Sequence, residues 1–99
     1  MESSGGNNRF YSNEIYDCSH GIYLVSSDNL NITHNSVVRS DFYGIYVSES
    51  QDGIITSNVL KECDGDGIYL SSEDFTVENN TFKDNQRGIT LTGLSLIHI

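Results

Sequence analysis

The stretch that decides the fold is Gly-Ile-Tyr-Leu at residues 21–24, because close copies of it return three times further along the chain. The copies are Gly-Ile-Tyr-Val at 44–47, Gly-Ile-Tyr-Leu at 67–70 and Gly-Ile-Thr-Leu at 88–91. Their glycines are spaced by 23, 23 and 21 residues. A constant period of roughly 20 to 50 residues is typical of repeat architectures. The sequence therefore predicts a repeat protein.

A second landmark, an asparagine followed two residues later by an apolar side chain, keeps the same period. The asparagines are Asn13, Asn35, Asn58 and Asn80, spaced by 22, 23 and 22 residues. Apolar residues precede each of them by three positions, and the alternation with period two and β-branched enrichment indicates strands. We therefore expect three short strands per repeat: one carries Gly-Ile-Tyr-Leu, one runs into the asparagine and one leaves it.

The asparagines themselves are expected at a tight corner of each turn. Asparagine tolerates left-handed backbone better than most residues, and its side chain readily hydrogen-bonds nearby groups. If the turns stack in register, each amide reaches the amide of the next turn. The sequence thus predicts a structural ladder of Asn13, Asn35, Asn58 and Asn80, like the asparagine ladders of stacked β-structures.

Two coil architectures have a period this short, and one column of the alignment separates them. The leucine-rich repeat places a leucine eight residues before its asparagine. Here that column contains Ser27, Ser50 and Ser72. This chain also supplies another apolar strand behind a glycine, where a leucine-rich repeat would have a helix or a looser turn. The solenoid with three strands per turn is therefore favoured over the leucine-rich repeat.

The combination of Asn-x-apolar, a polar residue or Cys three positions on, and then Gly-Ile-x-Leu resembles a known repeat. It is similar to the right-handed parallel β-helix of the pectin-lyase-like superfamily, which includes NosD-type periplasmic proteins, polysaccharide lyases and hydrolases, and alginate epimerases. The resemblance covers roughly residues 8 to 92. It implies an all-β, single-stranded right-handed parallel β-helix (a solenoid) of about four coils of 22–23 residues, incomplete at both ends. It also implies that substrates lie along the Gly-Ile-Tyr-Leu strands.

The chain divides into three predicted segments. Residues 1–7 are expected to be a disordered or non-native start, and residues 8–93 to be the β-helix fragment. The last six residues, 94–99, look like an in-frame translation of a transposon-based sequencing adapter; the alternative is the beginning of a fifth coil. We expect further β-helix coils of the same, longer chain to be the neighbours of this segment.

Composition excludes some classes of function. Fourteen Asp and Glu against five Lys and Arg give a formal net charge of −9. Because such a chain repels phosphate backbones, we expect no nucleic-acid partner. No apolar run has the length of a membrane span. The family resemblance implies an extracellular, cell-surface or periplasmic location.

The tyrosines of the repeat are the first candidate binding residues. If Ile and Leu of Gly-Ile-Tyr-Leu point inward, then Tyr23, Tyr46 and Tyr69 point outward on neighbouring strands, about 4.8 Å apart. Such a stack is a candidate platform for the sugar rings of a polysaccharide. The alternative is that the stacked rings only stabilise the neighbouring strands and shield the sheet.

The acidic loops are a second candidate, for a calcium ion. Asp41 and Asp64 share a column, six residues after their asparagines, and Asp66 follows two residues later. Ca²⁺ takes about six to eight oxygen ligands, and the calcium-dependent lyases that the chain resembles place acidic ligands in the corresponding region. The alternative is the ordinary surface of an acidic protein. Two columns nearer the asparagine, Arg39 is expected to pair with its acidic neighbours in adjacent turns.

The two cysteines are predicted to be free thiols. Cys18 and Cys63 both lie five residues after their asparagines, with Ser40 between them in the same column. Two coils of separation correspond to roughly 9.6 Å, which is beyond disulfide reach. A small buried thiol there would behave as an apolar side chain.

The repeat indicates architecture more strongly than activity. Acidic residues occur in every loop, so no catalytic pair stands out. We expect a segment of a secreted or surface protein that serves as a structural scaffold and binds polysaccharide along the Gly-Ile-Tyr-Leu face. Two alternatives stay open: part of a polysaccharide lyase, hydrolase or epimerase, or a NosD-like periplasmic factor for the maturation of a copper enzyme.

Overall fold

Parallel strands wound into a solenoid form the described part of the chain. The structure is a computed structural model that describes residues 2–6 and 8–92, and no helix is present in these two ranges. The strands are β1 (Glu2–Gly6), β2 (Arg9–Tyr11), β3 (Glu14–Cys18), β4 (Ile22–Asp28), β5 (Asn31–Thr33), β6 (Ser36–Ser40), β7 (Ile45–Thr56), β8 (Val59–Lys61), β9 (Asp66–Glu78), β10 (Thr81–Lys83) and β11 (Arg87–Thr92).

The register between turns follows the sequence repeat. Ile45 pairs with Ile22 on one side and with Ile68 on the other, and Ile89 continues the column beyond Ile68. All the pairings between these strands are parallel. Moving by one repeat in the sequence therefore moves one turn along the solenoid axis, which confirms the predicted parallel solenoid of about four turns.

The strands form two sheets rather than three separate ones. The first sheet contains β1, β4, β7, β9 and β11 together with β2 and β5, and the second contains β3, β6, β8 and β10. In β7 and β9, the Gly-Ile-Tyr-Leu strand and the strand that enters the asparagine are continuous. A register irregularity between Ser48 and Gln51 replaces the expected break, so these two repeats have two strands instead of three.

The core is a column of apolar side chains inside the coil. Along the Gly-Ile-Tyr-Leu strands, every second side chain is buried. Side chains of β5, β6 and β8 form the other walls of this core. The largest fully buried side chains are Phe75, Ile22, Leu24, Ile32, Ile45, Ile55, Leu60, Ile68, Leu70, Val37, Val47 and Val77. Burying a side chain of this kind stabilises the fold by about 1.5–3 kcal/mol.

The repeated glycine allows the turns to approach each other closely. A Cβ atom at Gly44 would lie 2.5 Å from the carbonyl oxygen of Gly67 and 2.9 Å from Cδ1 of Leu60. Gly21 is in the same position one turn earlier, 2.4 Å from the carbonyl oxygen of Gly44. Because the nearest atoms belong to backbone, a side chain at these positions would force neighbouring turns apart.

The predicted asparagine ladder is present. The Nδ2 atoms of Asn13, Asn35 and Asn58 each donate to the Oδ1 atom of the next asparagine, at 2.9–3.0 Å. Each Oδ1 also accepts the backbone N–H of the preceding asparagine. The ladder of Asn13, Asn35, Asn58 and Asn80 therefore connects four turns through side-chain amides.

The sequence predicted left-handed backbone at the asparagine of each corner. In the structure, the left-handed residue is the one before the asparagine. Ser12, His34, Ser57 and Asn79 have φ angles of 54° to 58°. The bend at this preceding residue leaves the asparagine free to bury its amide, and Asn58 is fully buried. The corner is therefore where the repeat predicts it, but its left-handed backbone belongs to the residue before the asparagine.

The structure describes most of the N-terminal segment but not the last residues of the chain. Residues 2–6 lie in β1, which pairs in parallel with β4, and the division of the chain at residues 7 and 93 stays a prediction. The proposed adapter-derived tail, residues 94–99, lies outside the described residues.

Candidate functional site

Three tyrosines stack on the outer face of the first sheet. The ring centroids of Tyr23 and Tyr46 are 4.7 Å apart with an interplanar angle of 7°, and those of Tyr46 and Tyr69 are 5.0 Å apart at 5°. The parallel register places these residues opposite each other on β4, β7 and β9. The predicted stack is therefore confirmed.

Aromatic side chains from two loops pack against this stack. The ring of Tyr43 lies 5.2 Å from Tyr46 and 5.4 Å from Tyr69, and the imidazole of His20 lies 4.9 Å from Tyr23. Phe42 stacks on His20 at 5.2 Å and 25°. The aromatic surface, as we call this cluster, consists of His20, Tyr23, Phe42, Tyr43, Tyr46 and Tyr69.

The arrangement determines what this surface can offer to a ligand. Tyr46 has a parallel ring on each side, so both of its faces are covered by neighbouring tyrosines. Its accessible parts are the ring edge and the hydroxyl, which donates and accepts hydrogen bonds. Phe42 is 54% exposed and lies at the rim of the cluster. The surface therefore combines a row of hydroxyl-bearing ring edges with one exposed apolar ring.

Sequence reasoning missed the contribution of the loop residues Phe42, Tyr43 and His20 to this surface. The sequence signal that could have found them is a difference in loop length. Gly44 follows Asn35 by nine positions, whereas Gly21 follows Asn13 by eight. The longer loop carries an adjacent Phe-Tyr pair, and the shorter loop carries the histidine.

The acidic candidates are only partly brought together. Asp41 and Asp64 are exposed and line one open cavity of about 440 Å³, whose other lining residues are Asp17, Arg39, Ser40 and Glu62. Asp66 does not line it: its side chain is 1% exposed and bonds to Arg87. Within residues 2–6 and 8–92, no group of three or more His, Cys, Asp or Glu side chains is arranged to hold a metal ion.

Arg39 is engaged by an acidic neighbour one turn away, as expected. Its Nε atom donates to Oδ1 of Asp17 at 2.6 Å. This hydrogen bond holds the pKa of the Asp17 carboxyl below its ordinary value. Both side chains are more than half exposed, so water and salt screen the pair and its contribution to stability is small.

The two cysteines are free, as predicted. Cys18 pairs in register with Ser40, and Cys63 lies in the following turn of the same column. Cys63 is buried, and this burial raises the pKa of its thiol. Cys18 is only partly buried.

This difference predicts an order of alkylation. With iodoacetamide at about pH 8, native protein should be modified at Cys18 before Cys63, because the thiolate is the reactive form and burial disfavours both access and ionisation at Cys63. Peptide mapping by mass spectrometry at successive times measures the two rates. Urea-unfolded protein is the control, in which both thiols should react at similar rates. Equal rates in the native protein would contradict the buried position of Cys63.

The fold defines a parallel β-solenoid, and comparison with known families agrees. The chain belongs to the right-handed β-helix family: the family model described as "Right handed beta helix region" matches residues 1–99. A search of curated proteins finds no match, and neither does a search of solved structures. In the described ranges, no helix has the length and apolar character needed to span a membrane.

Proposed function

We propose that this segment is a structural scaffold of a secreted or surface β-helix protein and that it binds a polysaccharide along the aromatic surface. The observation that carries this proposal is the aromatic surface itself, in which residues of three strands and two loops form one continuous outer cluster. Clustered aromatic residues at a protein surface mark interaction sites more often than isolated ones do. Tyrosine adds a polar group to an apolar ring, which suits a ligand with both apolar C–H faces and hydroxyls.

The regularity of the solenoid supports a polymeric ligand. The tyrosine hydroxyls recur along the axis with the spacing of the strands, because Tyr23, Tyr46 and Tyr69 are in register. A repeating surface of this kind matches a ligand that itself repeats along its length. The strands are rigidly connected by the buried amide ladder, so binding requires little ordering of the protein.

The other functions considered have less support in the geometry. A lyase or epimerase needs a base and a group that stabilises developing negative charge near one carbon atom. Arg87 lies on β11 beside the strand of Tyr69, but Asp66 already balances its charge, which weakens its ability to stabilise a developing anion. Copper(I) selects soft ligands, and the thiols of Cys18 and Cys63 lie two turns apart. The scaffold with a binding surface is therefore the better-supported proposal.

The exposed ring of Phe42 provides the first test. Replacing Phe42 with alanine should weaken retention on the bound polysaccharide by about two- to tenfold, because an aromatic contact of this kind contributes about 0.5–1.5 kcal/mol. Affinity electrophoresis or a glycan array measures the change. The far-ultraviolet circular dichroism should stay unchanged, since the side chain is 54% exposed.

Tyr16 offers a matched control. It is 52% exposed and lies on β3, in the second sheet, away from the aromatic surface. Tyr16→Ala should therefore leave retention unchanged. Equal losses in the two variants, or no loss in Phe42→Ala, would remove the aromatic surface as the binding site.

A further inference from the structure

We infer that the polysaccharide held by the aromatic surface is neutral rather than polyanionic. This inference rests on the proposed function and specifies its ligand class. The observation behind it is the distribution of charge: the five Lys and Arg side chains all lie in the described residues, so their partners can be compared one by one.

Two of the five cations are held by carboxylates. Arg39 bonds to Asp17 at 2.6 Å, and Arg87 bonds to Asp66 at 2.7 Å. The Arg87 pair is the one that matters at the aromatic surface, because Arg87 lies on β11 opposite Asp66, three residues before Tyr69 on β9. The Asp66 carboxylate is 1% exposed and balances the charge of Arg87, so an incoming carboxylate meets a neutral pair rather than a free cation.

The other three cations lie on other parts of the solenoid. The guanidinium of Arg9 lies over the ring of Tyr11, 4.8 Å from its centroid, on β2. Lys61 and Lys83 are neighbours on β8 and β10, in the second sheet. Recognition of carboxylate or sulfate groups usually uses Arg or Lys side chains. Among the described residues, the only Lys or Arg on the Gly-Ile-Tyr-Leu strands is therefore Arg87, whose charge Asp66 already balances.

Carboxylates occupy the loops beside the surface instead. Asp41 is exposed and directly precedes Phe42. Asp64 is also exposed, and the following Gly65 approaches the backbone carbonyl of Phe42 so closely that its Cβ would lie 2.2 Å from that oxygen. Charges interact over about 8–10 Å at ordinary ionic strength, so both carboxylates repel a uronate chain placed on Phe42.

A neutral polysaccharide avoids this cost and uses what the surface provides. Its hydroxyls exchange hydrogen bonds with the tyrosine hydroxyls, which both donate and accept. Its C–H faces pack on the exposed ring of Phe42. The net charge of −9 penalises polyanions further and leaves neutral polymers unaffected.

The test compares neutral and anionic polymers with the full chain. Affinity electrophoresis near neutral pH would use gels with soluble β-glucan, arabinoxylan or galactomannan, and gels with polygalacturonate or alginate. We expect retardation by at least one neutral polymer, with little dependence on salt. At low salt we expect no retardation by the anionic polymers, with or without Ca²⁺. The double variant Asp41→Asn, Asp64→Asn should keep the neutral binding and lose part of the discrimination against anionic polymers.

The outcomes separate this inference from the function on which it rests. Binding of an anionic polymer at low salt, or only with Ca²⁺, that weakens in Phe42→Ala would overturn the inference and support the proposed function. Binding of neither class, or binding that Phe42→Ala leaves unchanged, would overturn both.

Discussion

Replacement of Asn58 by alanine is expected to lower the free energy of unfolding by about 3–5 kcal/mol. Oδ1 of Asn58 accepts hydrogen bonds from the backbone N and from Nδ2 of Asn35, at 2.9 and 3.0 Å. Its Nδ2 donates to the carbonyl oxygen of Ile32 at 3.1 Å and to Oδ1 of Asn80 at 3.0 Å. One side chain thus connects three successive turns.

The size of the effect follows from the burial of these groups. Asn58 is fully buried and Asn35 is 1% exposed, so water does not replace the lost bonds. A buried donor or acceptor left without a partner costs about 1–3 kcal/mol. The alanine variant leaves several such groups without a partner, on Asn35 and Ile32. Domains are typically stable by only about 5–15 kcal/mol, so this one substitution removes a large fraction of the total.

Urea unfolding followed by circular dichroism measures the change. Gln51→Ala is the matched control, since Gln51 is exposed and no hydrogen bond of its side chain is present in the described residues. The control should lie within about 0.5 kcal/mol of the parent chain. If Asn58→Ala were as mild as Gln51→Ala, the ladder would not be a source of stability.

The second large effect is expected in the core, where Phe75→Ala should cost about 3–5 kcal/mol. Phe75 is fully buried and pairs in register with Gly53 on β7. A Cβ atom at Gly53 would lie 2.1 Å from Cε2 of Phe75, so the ring occupies the space that a side chain at position 53 would need. Removing the ring leaves a cavity that the rigid turns close only partly.

This complementarity predicts coupling between the two positions. Gly53→Ala should destabilise the parent chain, and it should be much milder in the Phe75→Ala background, where the methyl group enters vacated space. We expect a coupling energy of about 0.5–3 kcal/mol from denaturation of the four proteins of the cycle. Ile54→Ala, at an exposed neighbour of Gly53, is the control and should have a small effect. Strict additivity of the Gly53 and Phe75 substitutions would contradict the packing.

The sequence alone determined the repeat and everything that depends on register. In a parallel solenoid, residues one period apart lie one strand spacing apart, so a column in the alignment is a column in space. For this reason the asparagine ladder, the stack of Tyr23, Tyr46 and Tyr69, and the separation of Cys18 from Cys63 were predicted correctly.

The tertiary structure decided the features that lie between the columns. Loops differ in length from turn to turn, so periodicity did not place Tyr43 against the tyrosine stack or Phe42 against His20. Nor did it assign Asp66 to Arg87 rather than to a site with Asp41. These contacts depend on the path of each loop and on side-chain volume, which a repeat pattern does not encode. The sequence therefore specified the coil, and packing between loops and strands determined the surface that the coil presents.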